Sequence, residues 1–196
     1  MKKKLVGLTK EQIIETTIML IDKKGGATAV NLREVARISG CSAPNIYNYF
    51  ESLDDLFNTV LIRICDDYNK TLQIKIAKTP EELLLGAFRA YIEYAIEYPG
   101  RLNFFQFEKL NISVSEETEE MAEGVGYNMA HMMAYGTGKN ITEEKMIEIC
   151  NILHRYLLGE LSEYITGKKK IEDKEAYVNK LVLYCKKLYD IFVQNI

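Results

Sequence analysis

Between Ser42 and Tyr49 the chain sets one hydroxyl, two carboxamides and two phenols within eight residues, with no charged side chain among them. Groups of this kind recognise by hydrogen bonding. Asn45 carries a donor and an acceptor side by side, a match for an adenine edge, and Ala43 suits apolar contact with a thymine methyl. Tyr47 and Tyr49 can donate to phosphate oxygens. No nucleophile elbow, phosphate loop, zinc motif or carboxylate–histidine cluster stands out elsewhere. Glu160 and Glu163 with Tyr156 and Tyr164 come nearest to a polar cluster, and a solvated helix face is the simpler account of them. His131 and His154, the only histidines, lack the close Cys, His or acid spacing of a metal motif, so no metal or cofactor is expected.

Two short helices must position these groups. Residues 31–50, NLREVARISGCSAPNIYNYF, read as a helix, a tight turn and a second short helix. Asn31 can cap the first helix while Glu34 reaches back to the Asn31 N–H in a capping box. Leu32, Val35, Ala36 and Ile38 give the inward face, and Gly40 most cheaply adopts the left-handed conformation that ends a helix. Ser42 can cap the second helix, and Pro44 in its first turn gives up only an N–H without an intrahelical partner. Ile46, Phe50 and part of Tyr47 should face the first helix, leaving Ala43, Asn45, Asn48 and Tyr49 nearer the open side. This is the layout of a helix-turn-helix whose second member enters a major groove. A plain helical hairpin is the alternative, which the motif alone does not exclude.

The flanks narrow the choice. Residues 9 to about 60 resemble the TetR family of bacterial transcriptional regulators, through a first helix ending in Gly25-Gly26, the LREVARISG helix and IYNYFESLDDLF. Tyr47 and Phe50 ahead of Ser52 and Leu56 are the most specific part. The resemblance implies a phosphate contact for the Thr28 hydroxyl, a ligand pocket in the middle of the chain, and a four-helix dimer interface built from the last two helices of each subunit. Two departures bear on DNA affinity. The family commonly has lysine after the serine, where this chain has Leu53, and the reading helix carries no Arg or Lys. The candidate DNA-facing residues are therefore Thr28, Asn31, Arg33, Ser42, Ala43, Pro44, Asn45, Tyr47, Asn48 and Tyr49.

Net charge over 196 residues is −3, which taken alone argues against a nucleic-acid binder. Its distribution argues otherwise. Residues 1–50 hold eight Lys/Arg against four Asp/Glu, a balance of +4, and residues 51–196 hold seventeen against twenty-four, or −7. A basic head on an acidic body turns its head toward phosphates. With 47% hydrophobic and 27% charged residues, few prolines and no β-type alternation, the chain reads as all-α and soluble. Cys41, Cys65, Cys150 and Cys185 form no Cys-x-x-Cys pair and read as reduced thiols of a cytoplasmic protein. No apolar run approaches the roughly 20 residues of a membrane span.

Along the chain, Lys2, Lys3 and Lys4 form a basic arm, either a phosphate or minor-groove contact or a frayed terminus. Thr9 and Gln12 make a capping box for a helix to about Lys24. Ser52 with Asp54 and Asp55 starts a long connecting helix toward Ala77, and Thr79-Pro80-Glu81-Glu82 starts the next, which stops at Tyr98-Pro99-Gly100. An aromatic helix follows from Arg101, and Ser113 with Glu116 can open another through Met121 to Met133, weakened by glycines. The last two helices should span 142–166 and 172–193. Their inward stripes read as Ile147, Cys150, His154, Leu157, Leu158, Leu161 and Ile165, then Tyr177, Leu181, Tyr184, Cys185, Leu188 and Phe192. Gly159 costs about 1 kcal/mol in mid-helix, which close approach of another helix can offset.

The expected fold is all-α, with a three-helix helix-turn-helix domain at 1–51 and a helical ligand-binding and dimerisation domain at 52–196. Phe88, Tyr91, Phe104, Phe107, Met129, Met133 and Tyr156 are the candidate pocket residues, suited to an aromatic or cationic effector; ordinary core packing is the alternative for each. The expected function is a homodimeric regulator, a repressor bound to a double-stranded operator and released by a small-molecule effector. A helical small-molecule-binding enzyme and a protein-only adaptor that has lost DNA binding are the alternatives.

Overall fold

Thr9 and Gln12 close the predicted capping box. The Gln12 N–H donates to Thr9 Oγ1 at 3.2 Å and the Thr9 N–H to Gln12 Oε1 at 3.0 Å, which satisfies two orphan donors at the start of α1 (Lys10–Lys24). The computed structural model describes residues 7–73, 80–109, 115, 116, 118 and 141–194. Outside them lie the lysine arm, the Thr79 cap, the Ser113 start, the stretch 121–133 with His131, and the predicted pocket residues Met129 and Met133. Among the described residues there are eight helices and no strand. After α1 come α2 (Leu32–Ile38), α3 (Ala43–Ile46), α4 (Leu53–Gln73), α5 (Pro80–Glu97), α6 (Pro99–Gln106), α7 (Glu143–Ile165) and α8 (Lys174–Gln194). None of them is long and apolar enough to cross a membrane.

Two apolar cores organise the chain. The head core joins α1 (Ile13, Ile14, Ile18, Leu20, Ile21) with Val35 and Ala36 of α2, Ile46, Phe50 and the first half of α4 from Leu56 to Ile64. The body core joins α5, α7 and α8. Two helices belong to both. One turn beyond Ile64, α4 places Tyr68 in the body core, and α6 gives Leu102 to the body and Phe104 to the head. Residues two apart on a helix project in nearly opposite directions, so α6 lies in the seam with one side in each core. The predicted pocket residue Phe104 is thereby a head-core residue, its ring centroid 5.6 Å from that of Phe57.

Several local expectations change in three dimensions. Ile38 is 39% exposed instead of inward-facing. The inward face of α8 is Val178, Leu181, Cys185, Tyr189 and Val193. Tyr184 is exposed, while Tyr177, Leu188 and Phe192 are only half-buried. A second apolar flank beside the true core face had been merged with it in the linear pattern. Among the described residues no atom stands within 4 Å of where a Cβ on Gly159 would lie. All four cysteines are free thiols, three of them buried, and burial pushes the Cys150 and Cys185 thiols up to about 12.

Candidate nucleic-acid interface

Asn31 caps α2 as expected, its Oδ1 accepting from the Glu34 N–H at 2.9 Å. The reciprocal half of the box is missing. The Glu34 carboxylate turns to Lys24, an ion pair that fastens α2 to the end of α1, and Lys24 also donates to the Ala29 carbonyl at 2.9 Å. Lys24 holds the Glu34 carboxyl below its usual range against the opposing effect of desolvation. Gly40 takes the left-handed conformation at φ 74°, and the Cys41 N–H returns to the Ala36 carbonyl at 2.9 Å. Arg33 and Arg37 stand exposed on one face of α2, four residues apart.

The reading segment is tighter than an α-helix. Ser42 adopts an extended conformation but its side chain makes no capping bond, and α3 is a single turn. Beyond it the N–H groups of Tyr47, Asn48 and Tyr49 donate to the carbonyls of Pro44, Asn45 and Ile46 at 3.2, 3.2 and 2.9 Å, a spacing of three instead of four. A three-residue period stacks Ala43, Ile46 and Tyr49 on one side, where Ile46 is buried and the other two half-buried. Pro44 with Tyr47 and Asn45 with Asn48 are left on the open sides, all four exposed. Two expectations are corrected by this period. Tyr47 does not turn inward and is 54% exposed. Tyr49 packs against the head core, and its hydroxyl donates to the Leu8 carbonyl at 2.7 Å. The same corner carries Lys10, whose Nζ stands 4.8 Å from the centroid of the Phe50 ring.

Thr28 is exposed, but its hydroxyl is engaged. Glu108, just past the end of α6, accepts from Thr28 Oγ1 at 2.6 Å and from the N–H groups of Ala27 and Thr28 at 2.6 and 3.1 Å. Gly26 makes room for this carboxylate, since a Cβ there would fall 2.1 Å from Glu108 Oε1. Asn103 Nδ2 donates to the Gly25 carbonyl at 2.7 Å, and Arg101 forms a forked pair with Asp22 at 2.9–3.2 Å. Burial works against the Arg101 charge, yet Asp22 outweighs it and raises the guanidinium pKa. Gly100 rests directly on the end of α1, 2.5 Å separating the Ile21 carbonyl oxygen from the place of a Cβ. Nearer the start of α1, on the face that also carries Asp22, Arg63 of α4 pairs with Glu11 and Glu15. The head is thus pinned to α6 through the end of α1 and the α1–α2 loop, by residues about eighty positions away that no local pattern marks.

In the body, Tyr68, Tyr91 and Tyr94 form an edge-to-face cluster, with centroids 6.1 and 5.1 Å from Tyr68. Tyr91 Oη lies 3.2 Å from His154 Nε2, so His154 is a half-buried histidine partnered by a core tyrosine. Burial raises the Tyr68 hydroxyl well above its ordinary pKa, and among the described residues that hydroxyl has no hydrogen-bond partner. Of the predicted pocket residues, Phe88, Tyr91 and Tyr156 sit in or against this core, and Phe107 is exposed beyond α6. Among the described residues no group of His, Cys, Asp and Glu could hold a metal ion.

Compared with solved structures, the chain superposes over 95% of its length on a TetR-family transcriptional regulator from Streptomyces coelicolor, covering 82% of it at a TM-score of 0.76 and 15% identity. The chain has the TetR-family fold. A transcriptional regulator from Rhodococcus sp. RHA1 shares this fold over 95% of the chain and 97% of its own, with a TM-score of 0.72 and 14% identity. So does the fatty acid degradation regulator FadR from Bacillus halodurans, over 94% and 96%, at 0.67 and 18%. In sequence, the chain is 27% identical over 177 residues to the uncharacterized HTH-type transcriptional regulator Rv0681 of Mycobacterium tuberculosis, spanning 90% of this chain and 79% of that protein. No family model matches it. Within the TetR fold, the exposed set Pro44, Asn45, Tyr47 and Asn48 occupies the second member of the helix-turn-helix, flanked by Arg33 and Arg37.

Proposed function

We propose that this protein is a homodimeric, cytoplasmic DNA-binding transcriptional regulator, a repressor released from its operator by a small-molecule effector. Residues 1–51 serve as the DNA-binding domain and 52–196 as the ligand-binding and dimerisation domain. The observation that carries the reading is the open reading segment, whose Asn45, Tyr47 and Asn48 side chains face outward while Ile46 and Phe50 anchor it. Asn45 reads a base edge; Ser42, Ala43, Pro44 and Asn48 border the groove; Tyr47, Asn31 and Arg33 reach phosphates. Tyr49 supports the segment from behind.

Pairing of two chains is supported by the second apolar flank of α8, where Tyr184 and Ile191 are 37% and 54% exposed. Ile152, Tyr156 and Gly159 lie along one side of α7 at helical spacing, and the uncovered glycine lets a partner helix come close. The effector site is assigned to the body around Tyr68, Tyr91 and His154. A ligand acceptor there would satisfy the Tyr68 hydroxyl, and the effector acts by favouring one of two α4 settings.

The head assignment is tested with an Asn45→Ala/Tyr47→Ala double variant. It should lose operator affinity by at least about tenfold while remaining a folded dimer. Unchanged affinity in a duplex-binding assay would remove the reading segment from the interface.

A further inference from the structure

We propose that Lys10 is a phosphate-contacting residue of the DNA interface, held at the edge of the reading segment by the Phe50 ring. The assignment rests on the DNA-binding reading above.

A protein in the major groove lies between two phosphate backbones, and cations facing those backbones supply nearly all of its non-specific affinity and a large share of its specific affinity. This chain has no cation between Ser42 and Tyr49, and the first residue of α4 is Leu53. Two basic residues of the head region are taken by acids of their own chain, Lys24 by Glu34, and Arg63 by Glu11 and Glu15. On the side from which the chain enters the reading segment, α2 presents Arg33 and Arg37. Where the chain leaves it, the neighbouring element is the start of α1. Tyr49 reaches Leu8 there, and the Lys10 ammonium lies over Phe50.

Lys10 is exposed, and among the described residues no carboxylate pairs with it. An ammonium stationed over a ring face keeps its full charge and its outward donors. Its stem is already ordered, so less rotamer freedom remains to be lost when a phosphate arrives. Arg33 and Arg37 on one border and Lys10 on the other give the uncharged reading segment a cation on each side.

The test measures duplex affinity against salt for the full-length wild type, Lys10→Met, Lys10→Arg and Lys145→Met, the last a body lysine paired with Glu148. Lys10→Met keeps the apolar stem and removes the charge. It should bind operator and unrelated duplexes about three- to tenfold more weakly, with the slope of log affinity against log salt shallower by about one. Its Tm and dimer state should match the wild type. Lys10→Arg should restore the slope, and Lys145→Met should leave it unchanged. An unaltered slope in Lys10→Met, with the wild type binding normally, would overturn the assignment; a lowered Tm with that same slope would make Lys10 a structural clasp instead. If the wild type itself showed no salt-dependent duplex binding, the DNA-binding reading would fall, and the Lys10 assignment with it.

Discussion

Tyr47 and Tyr49 are two positions apart and have opposite roles, one facing outward and one tied to the Leu8 carbonyl. Neighbouring chemistry does not separate them; the backbone period does, and a pattern read at 3.6 residues per turn misplaces both once the turn tightens to three. Features set within four residues were legible, such as the Thr9–Gln12 box, the Asn31 cap and the left-handed Gly40. Half of the Asn31–Glu34 box was not, because Glu34 had a stronger partner in Lys24, ten positions away. His154 gives a prediction at the same scale. Burial, and then the Arg155 charge, hold its imidazole below the ordinary 6.5, so the folded chain resists a proton that the unfolded chain accepts. Stability should be fully present above pH 6.5 and fall as the pH drops toward the depressed folded-state value. In urea melts at pH 7 and pH 5, His154→Gln should lose less stability between the two than the wild type. An equal loss would show that His154 is not a buried neutral group.

At the scale of elements, α4 and α6 matter most because each has a side in both cores. A helix shared in this way cannot tilt without moving head against body. The contact is specific as well as apolar, with Arg101–Asp22, Asn103–Gly25 and Glu108–Thr28 fixing α6 and the residues just past it to the end of α1 and the α1–α2 loop. Helix existence and limits were readable from caps and prolines, and the last two helices fall within two residues of expectation at each end. Partners across the seam were not readable, since Glu108 and Thr28 are eighty positions apart, Glu108 looks like an ordinary surface residue and the Thr28 hydroxyl was expected at a phosphate. Gly100 tests the seam. A Cβ would meet the Ile21 carbonyl, a backbone atom that cannot swing aside, so Gly100→Ala should destabilise the chain by about 1–3 kcal/mol in denaturant unfolding. A neutral effect would mean that α6 does not rest on α1 as closely as described.

For the molecule as a whole, the +4 balance of residues 1–50 against −7 for residues 51–196 would orient the proposed regulator toward a duplex before any contact forms. One head offers a single turn of α-helix followed by three tight turns, too little surface to hold a duplex firmly. In the proposed dimer, two heads joined through their bodies would act at a high effective concentration, which makes pairing a condition of tight binding. The uncovered flank of α8 and the open Gly159 are where that pairing is assigned. The most direct measurement is a selection of bound sequences from random duplexes by the full-length protein. The account predicts an enriched inverted repeat whose half-sites are centred roughly 34–36 Å apart, about one helical turn of DNA. Recovery of no enriched sequence, or of a lone half-site bound by a single chain, would contradict it.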